Sequence, residues 1–172
     1  MIKNVLFLCT GNSCRSQMAQ AILNSRSDNK YKAFSAGSSP NKEKFRDTLG
    51  VHPKALETIK NKGLSIDNLS SKSWDEYIKI QDSFNFVITL CDDAHNELKN
   101  EACPFWPGKS IRAHWGLFDP DKVEGDEDYI KAKFIEAFEI VEKRVDAFLS
   151  LDTDNMDDKD IMYKLNEIGQ IK

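Results

Sequence analysis

Residues 9–16 read Cys-Thr-Gly-Asn-Ser-Cys-Arg-Ser, a Cys-x5-Arg-Ser pattern directly after an apolar run. The residues between Cys9 and Arg15 are small or polar, so the chain can curl until successive backbone N–H groups point inward at a tetrahedral oxyanion. Gly11 and Asn12 are the residue types that best tolerate left-handed backbone angles. Arg15 falls one residue inside the start of a helix, where its planar fork can hold two oxygens of the anion. The same N–H groups and the helix dipole favour a thiolate at Cys9. Thr10, Gly11, Asn12, Ser13, Cys14 and Arg15 therefore form an anion cradle over a nucleophile. The competing reading is a buried cysteine followed by an ordinary helix-start arginine, and for Cys14 simple packing is the preferred reading. The chain has only five Arg and four Cys in 172 residues. Cysteines so few, in a chain read as cytosolic, suit catalytic, redox or metal roles better than a disulfide framework.

The loop needs a scaffold, and hydrophobic periodicity supplies one. Lys3–Cys9 is a short apolar run ending in Thr-Gly-Asn, a buried strand entering a tight turn. Ser16–Asn24 has helical spacing, and Tyr31–Ala36 reads as a second strand closed by Gly37 and Pro40. Asn41–Gly50 is polar and turn-like. Pro53–Lys62 reads as a helix with Pro in its first turn and Gly63 as its stop. A shorter amphipathic helix follows at Trp74–Ile80. Phe84–Leu90 is the clearest further buried strand, and Cys91 follows it directly. Ser110–Trp115 is a fourth strand candidate. Tyr129–Leu149 is the strongest helix, with Ile130, Phe134, Phe138, Val141, Val145 and Phe148 on one stripe. In the tail, Ile161, Leu165 and Ile168 form a short apolar face. Strands alternating with helices predict an α/β fold with a mostly parallel sheet, which places ligands at the carboxyl ends of its strands. Cys9 and Cys91 both fall at such ends.

Length and charge restrict what this scaffold can be. A chain of 172 residues reads as one catalytic domain, 1–172, with 151–172 a docked helical extension. No apolar run is long enough to span a bilayer, and Met1-Ile2-Lys3-Asn4 lacks the pattern of a signal peptide. A net charge of −4 argues against a nucleic-acid groove. The expectation is a cytoplasmic protein with no membrane or nucleic-acid partner. The acids from Asp121 to Asp128 read as a solvated loop, and His52 and His95 as solvent-facing. Trp106, between two prolines, reads as a loop anchor. Cys91, His95, Cys103 and His114 offer a zinc reading, but their spacing matches no usual zinc motif, so no metal is expected.

VLFLCTGNSCRSQMAQA, SAGSSP, VHPKALETIKNKGLSI, VITLCDDA, CPFWPGKSIRAHWGLFDP and LNEIG occur in this order over most of the chain. Together they resemble the arsenate reductases built on the low-molecular-weight phosphotyrosine-phosphatase fold. The resemblance implies a four-stranded parallel sheet of flavodoxin-like order, with helices on both faces. It implies Cys9 as nucleophile, Thr10 to Arg15 as cradle, Ser16 as a hydroxyl supporting the thiolate, and Asp119 as general acid. By itself Asp119 would read as a turn-initiating residue before Pro. As an acid it makes sense because a carboxyl beside a bound oxyanion tends to keep its proton and can donate it to a departing oxygen. His114 and Trp115 are expected to shape the wall near it.

Cys91 and Cys103 separate the two branches of that resemblance. In the reductase branch, the thiol at the position of Cys91 attacks Cys9 within its arsenic adduct, releasing arsenite and leaving Cys9–Cys91. The thiol matching Cys103 then moves the disulfide to Cys91–Cys103, where thioredoxin or glutaredoxin can reduce it. A phosphatase working through a phosphocysteine at Cys9 needs neither thiol. No flavin or nicotinamide fingerprint is present, and no cofactor is expected. Ser16-Gln17 also resembles the reductases, since phosphatases usually carry Pro after that Ser. The segment from Cys91 to Cys103 is longer than the usual spacing, and Asn41–Gly50 resembles an insertion. Some members hold potassium through a carboxylate at the position of Gln20, so that ion is not expected here. A non-catalytic anion-binding module is the third reading. Asp92–Glu101 is expected to be helical in the reduced protein.

Overall fold

A computed structural model of the protein describes residues 1–91 and 106–172. Strands β1 (Lys3–Cys9), β2 (Tyr31–Gly37), β3 (Phe86–Thr89) and β4 (Ile111–His114) form one sheet in the order β2-β1-β3-β4. Every pairing is parallel, with Leu8 opposite Ala36 and Thr89, and Thr89 opposite His114. The fold is therefore α/β, as the periodicity predicts, with the flavodoxin-like strand order that the resemblance implies. Among the described residues the helices are α1 (Arg15–Arg26), α2 (Pro53–Asn61), α3 (Asp75–Ile78), α4 (Glu127–Leu149) and α5 (Asp158–Ile168).

Strand side chains alternate between faces, so β1 sends Val5 and Phe7 one way and Leu6 and Leu8 the other. Val5 and Phe7 join a large core with Met18 and Ile22 of α1 and Phe134, Phe138, Val141, Val145 and Phe148 of α4. Leu6 and Leu8 join a smaller cluster with Phe84, Val87 and Trp106, against which Trp74, Tyr77 and Ile78 pack. Among the described residues, long helices thus cover one face, and a short helix with aromatic side chains packs on the other. Burying a large apolar side chain contributes about 1.5–3 kcal/mol, so α4 carries much of the larger core's stability.

The predicted and observed elements differ mainly at their ends. Helix α4 begins at Glu127 rather than Tyr129, because Asp126 accepts a hydrogen bond from Tyr129 N (2.8 Å) and Glu127 and Asp128 fill the first turn. Those acids complement the helix dipole and are not simply a solvated loop. Asn41–Gly50 is not only turn: Lys42–Thr48 forms a 3-10 segment capped by Asn41. Helix α5 lies along β4, where His114 N donates to Asn166 Oδ1 (3.1 Å) and Trp115 Nε1 to Leu165 O (2.8 Å). That contact covers an otherwise unpaired sheet edge. Trp106 is fully buried against Trp74 and Phe84, an anchor as expected. Cys103, His95 and the helix expected at Asp92–Glu101 lie outside the described residues. No helix among the described residues is long and apolar enough to cross a membrane.

Candidate active site

The loop between β1 and α1 sits at the carboxyl end of the central strand pair and is packed from beneath by Gly37. A Cβ at Gly37 would stand 2.5 Å from Thr10 O, a separation that only glycine allows. Ser38 N and Ser39 N donate to Cys9 O and Thr10 O at 3.1 and 3.0 Å, tying the loop to the end of β2. The positive φ expected of this loop falls on Asn12 (φ 51), while Gly11 is not left-handed. Helix α1 starts without a side-chain cap, so its first N–H groups are not closed off by its own sequence.

Asn12 organises the floor of the site and is completely buried. Its Oδ1 accepts from Lys72 N (2.8 Å), which turns Nδ2 toward Ser16 Oγ, 2.7 Å away. Ser16 Oγ is also 3.0 Å from Cys9 Sγ. With one lone pair occupied by Asn12, the Ser16 hydroxyl can direct its own proton at the sulfur. Asn12 N donates to the same sulfur at 3.1 Å. Gln17 Nε2 then holds Asn12 O (2.9 Å) and Ser70 O (2.8 Å), and Ser71 Oγ donates to Gly11 O (3.2 Å). Two donors thus converge on Cys9 Sγ from a network built of neutral groups. Such donors solvate a negative sulfur in place of water.

Arg15 forms the opposite wall. Its Nη1 donates to Leu90 O (3.0 Å) and Leu117 O (2.9 Å), and its Nη2 lies 3.4 Å from Asp119 Oδ2. Burial disfavours the Arg15 cation, but the charges of Asp119, Cys9 and Cys91 outweigh it and hold its pKa above the ordinary arginine value. Asp119 takes the turn position weighed from the sequence and also faces Arg15. Oδ1 caps the turn at Pro120–Lys122 by accepting from Asp121 N (3.1 Å), and Oδ2 faces Arg15. Cys14 is buried beside the loop and bonds Ser13 Oγ at 3.6 Å; burial, then Asp119, raises its pKa well above the ordinary thiol value.

Cys9 to Arg15, Ser39, Asn41, Lys44, Phe45, Asp119 and Asp121 line a common cavity of about 260 Å³, a size that suits a small anion with its first shell of contacts. Cys91, buried like Cys9 and Cys14, follows Leu90, whose carbonyl anchors Arg15. Because β3 runs parallel to β1 with Thr89 opposite Leu8, Cys9 and Cys91 leave the sheet at adjacent strand ends.

Asp121, read as part of a solvated loop, lines the cavity, and His52, read as solvent-facing, supports it from behind. Asp121 accepts from Lys44 Nζ and lies 3.2 Å from His52 Nε2. The His52 hydrogen bond, opposed by burial and joined by Lys44, lowers the Asp121 pKa to about 2. His52 Nδ1 accepts from Lys54 N (3.0 Å) as the cap of α2, and its ring stacks against Phe45 and Phe134. The stretch from Lys44 to His52 meets the distant Asp121 here, and no local spacing announces it. His114 lines a separate cleft with Val87 and Asn166, its Nδ1 2.7 Å from Thr89 Oγ1, rather than the Cys9 cavity. No cluster of three or more potential metal ligands occurs among the described residues.

The family model for low molecular weight phosphotyrosine protein phosphatases matches residues 4–160. An arsenate reductase of Bacillus subtilis is 36% identical over 126 residues, which cover 73% of this chain and 80% of that relative. A solved arsenate reductase in its phosphate-binding state matches with a TM-score of 0.66 at 27% identity, over 87% of this chain and 98% of the other. A thioredoxin-dependent arsenate reductase of Corynebacterium glutamicum matches with a TM-score of 0.53 at 28% identity, over 84% of this chain and 62% of that one.

Proposed function

The chain belongs to the low-molecular-weight phosphotyrosine protein phosphatase family, and on that premise we propose that it reduces arsenate to arsenite by a relay of thiols. The observation that carries this reading is the second buried thiol, Cys91, at the strand end next to Cys9 and directly after the carbonyl that holds Arg15. The arsenate reductases among its relatives support the same substrate.

The Cys9 thiolate attacks arsenic while the cradle N–H groups and Arg15 hold the arsenate oxygens. One oxygen leaves as water, protonated by Asp119, and a sulfur–arsenic bond forms. The Cys91 thiolate then attacks Cys9 Sγ. The sulfur–arsenic bond breaks, its electron pair stays on arsenic, and As(V) departs as arsenite, As(III). The two sulfurs are left oxidised as Cys9–Cys91. Cys103 attacks Cys91, frees the Cys9 thiolate and leaves Cys91–Cys103. A dithiol reductant of the thioredoxin or glutaredoxin kind takes up that disulfide by thiol exchange and restores the starting state. Such a cycle suits a reducing compartment, the cytoplasm.

The nucleophile, cradle and Asp119 would equally serve a phosphatase working through a phosphocysteine at Cys9. One assay separates the readings: arsenite release with reduced thioredoxin or glutaredoxin, against phosphate release from an aryl phosphate. The proposal expects reductant-dependent arsenite release that Cys91→Ser abolishes while any phosphate release persists. Phosphate release alone, indifferent to Cys91→Ser, would make the protein a phosphatase. After one arsenate turnover, Cys103→Ser should accumulate Cys9–Cys91, visible by peptide mapping.

A further inference from the structure

Arg144 of α4 is a buried cation that the proposed reaction does not use. It is 2% exposed. Nε donates to Ile171 O (2.9 Å), and Nη1 to Trp115 O (2.8 Å) and Gly116 O (3.2 Å). Among the described residues no carboxylate lies within ion-pair distance of it, and burial alone lowers its pKa from the ordinary arginine value. A buried cation left without an opposite charge is costly, and its three carbonyl partners offset only part of that cost. Nη2 has no hydrogen-bond partner among the described residues, although it is not sealed in as Gln17 Oε1 and Trp106 Nε1 are.

Arg144 lines a cavity of about 630 Å³ between α4, the 116–118 segment and the chain after α5, separate from the Cys9 cavity. The other walls are mixed in a definite way. Leu117, Phe118 and Ile140 are apolar, and Lys143, whose Nζ donates to Lys172 O (3.5 Å), also lines it. Its acidic side chains are paired with other lysines, Glu136 with Lys133 (2.6 Å) and Glu139 with Lys62 (3.1 Å). The volume is in the usual range for a small-molecule site, which is mostly apolar with a few placed polar groups.

From the unpaired guanidinium and the apolar walls, we infer that this cavity is a second binding site, for a small carboxylate carrying an apolar body. One carboxylate oxygen accepts from Arg144 Nη2, and the apolar body lies against Leu117, Phe118 and Ile140. Nε and Nη1 keep their carbonyls, so the 115–117 segment stays in place on binding. A planar carboxylate with a hydrocarbon body suits these walls, whereas the compact backbone cradle over Cys9 suits a tetrahedral oxyanion.

The probe is phenylacetate, titrated into the reduced full chain and followed by backbone amide NMR, with inorganic phosphate as the second arm. Phenylacetate should move the Gly116, Phe118 and Gly169 amides saturably in the millimolar range while Gly11 and Asn12 stay still; phosphate should do the reverse. Arg144→Lys should weaken phenylacetate about tenfold, the value of one charge-assisted hydrogen bond to a fork nitrogen. Lys143→Glu, which leaves the buried group untouched, should weaken it about threefold. The proposal fails if phenylacetate produces no saturable shift at these amides, or if Lys143→Glu binds as well as the unaltered chain. It fails in its ligand class if phosphate, and not phenylacetate, moves Gly116 and Gly169.

Discussion

The floor and the wall of the Cys9 cavity are built on different physics. On the floor, Asn12, Ser16 and Gln17 hold the sulfur through neutral hydrogen bonds between buried groups. The wall is held by charge: Arg15 with Asp119, and Asp121 with Lys44 and His52. Neutral buried bonds keep one geometry whatever the pH or salt, because leaving any partner unmet costs its full desolvation. Charged contacts at a cavity mouth respond to an arriving anion, to pH and to ionic strength. A nucleophile needs the first kind of support, and a group that must exchange partners with substrate needs the second.

Substitutions at the two regions should therefore fail in different ways. Cys9→Ser, the largest effect, should cost at least about 10⁴-fold in turnover while oxyanion binding survives, because the cradle is mostly backbone N–H. Arsenate reduction or ester hydrolysis by that variant would rule out a single nucleophile. Arg15→Lys should cost about 10²–10³-fold, since one ammonium cannot both hold Leu90 O and Leu117 O and grip two anion oxygens. Unaltered kcat/KM would mean that Arg15 does not reach the anion. For Asp119→Asn we expect the first chemical step to slow about 10²-fold with substrate affinity nearly unchanged. A loss confined to affinity would reduce Asp119 to a partner of Arg15. Asn12→Ala should lower turnover about tenfold and stability by about 2 kcal/mol, because Ser16 Oγ and Lys72 N each lose a buried partner. The test of the floor is that this loss is equal at low and high salt; a salt-dependent loss would place Asn12 with the wall.

The same division explains what the sequence disclosed. The strands, α1 and α4 follow from periodicity, and the predicted Lys3–Cys9 strand coincides with β1. Cys9 and Arg15 were legible because a strand, a tight turn and a helix start bring them together within seven residues, whereas the part of Ser16 entered through resemblance. Gly11 and Asn12 were legible only as backbone types. That the Asn12 side chain is a strut depends on Lys72 and Ser70, residues some sixty positions away. Lys44, His52 and Asp121 each looked like surface residues, since a charge's partner cannot be read from its own segment. Asp119 entered through resemblance, and the structure shows why: as a turn cap before Pro120 it has a sufficient local reason to be there.

The smallest effect concerns Asp121, and its pH dependence distinguishes charge from packing. Its pKa falls from 3.8 to about 2, chiefly through the His52 hydrogen bond, with Lys44 adding to it. The His52 ring presents its Nε2 proton to Asp121 because Nδ1 is occupied by Lys54 N–H. The folded state therefore favours the ionised carboxylate. Its contribution is fully present above the unfolded carboxyl range and is lost as pH falls through about 2. A shift of this size corresponds to about 2 kcal/mol, reduced to about 1–2 kcal/mol because the carboxylate is partly solvated. Urea unfolding of the unaltered chain and of Asp121→Asn, compared at steps from neutral pH downward, should show a constant gap above about pH 5. Below that the gap should narrow steadily, as protonation makes the carboxyl of the unaltered chain resemble the amide. A gap that stays the same throughout the acid range would show that Asp121 joins the 3-10 segment to α2 by shape alone, and the wall would lose its claim to be held by charge.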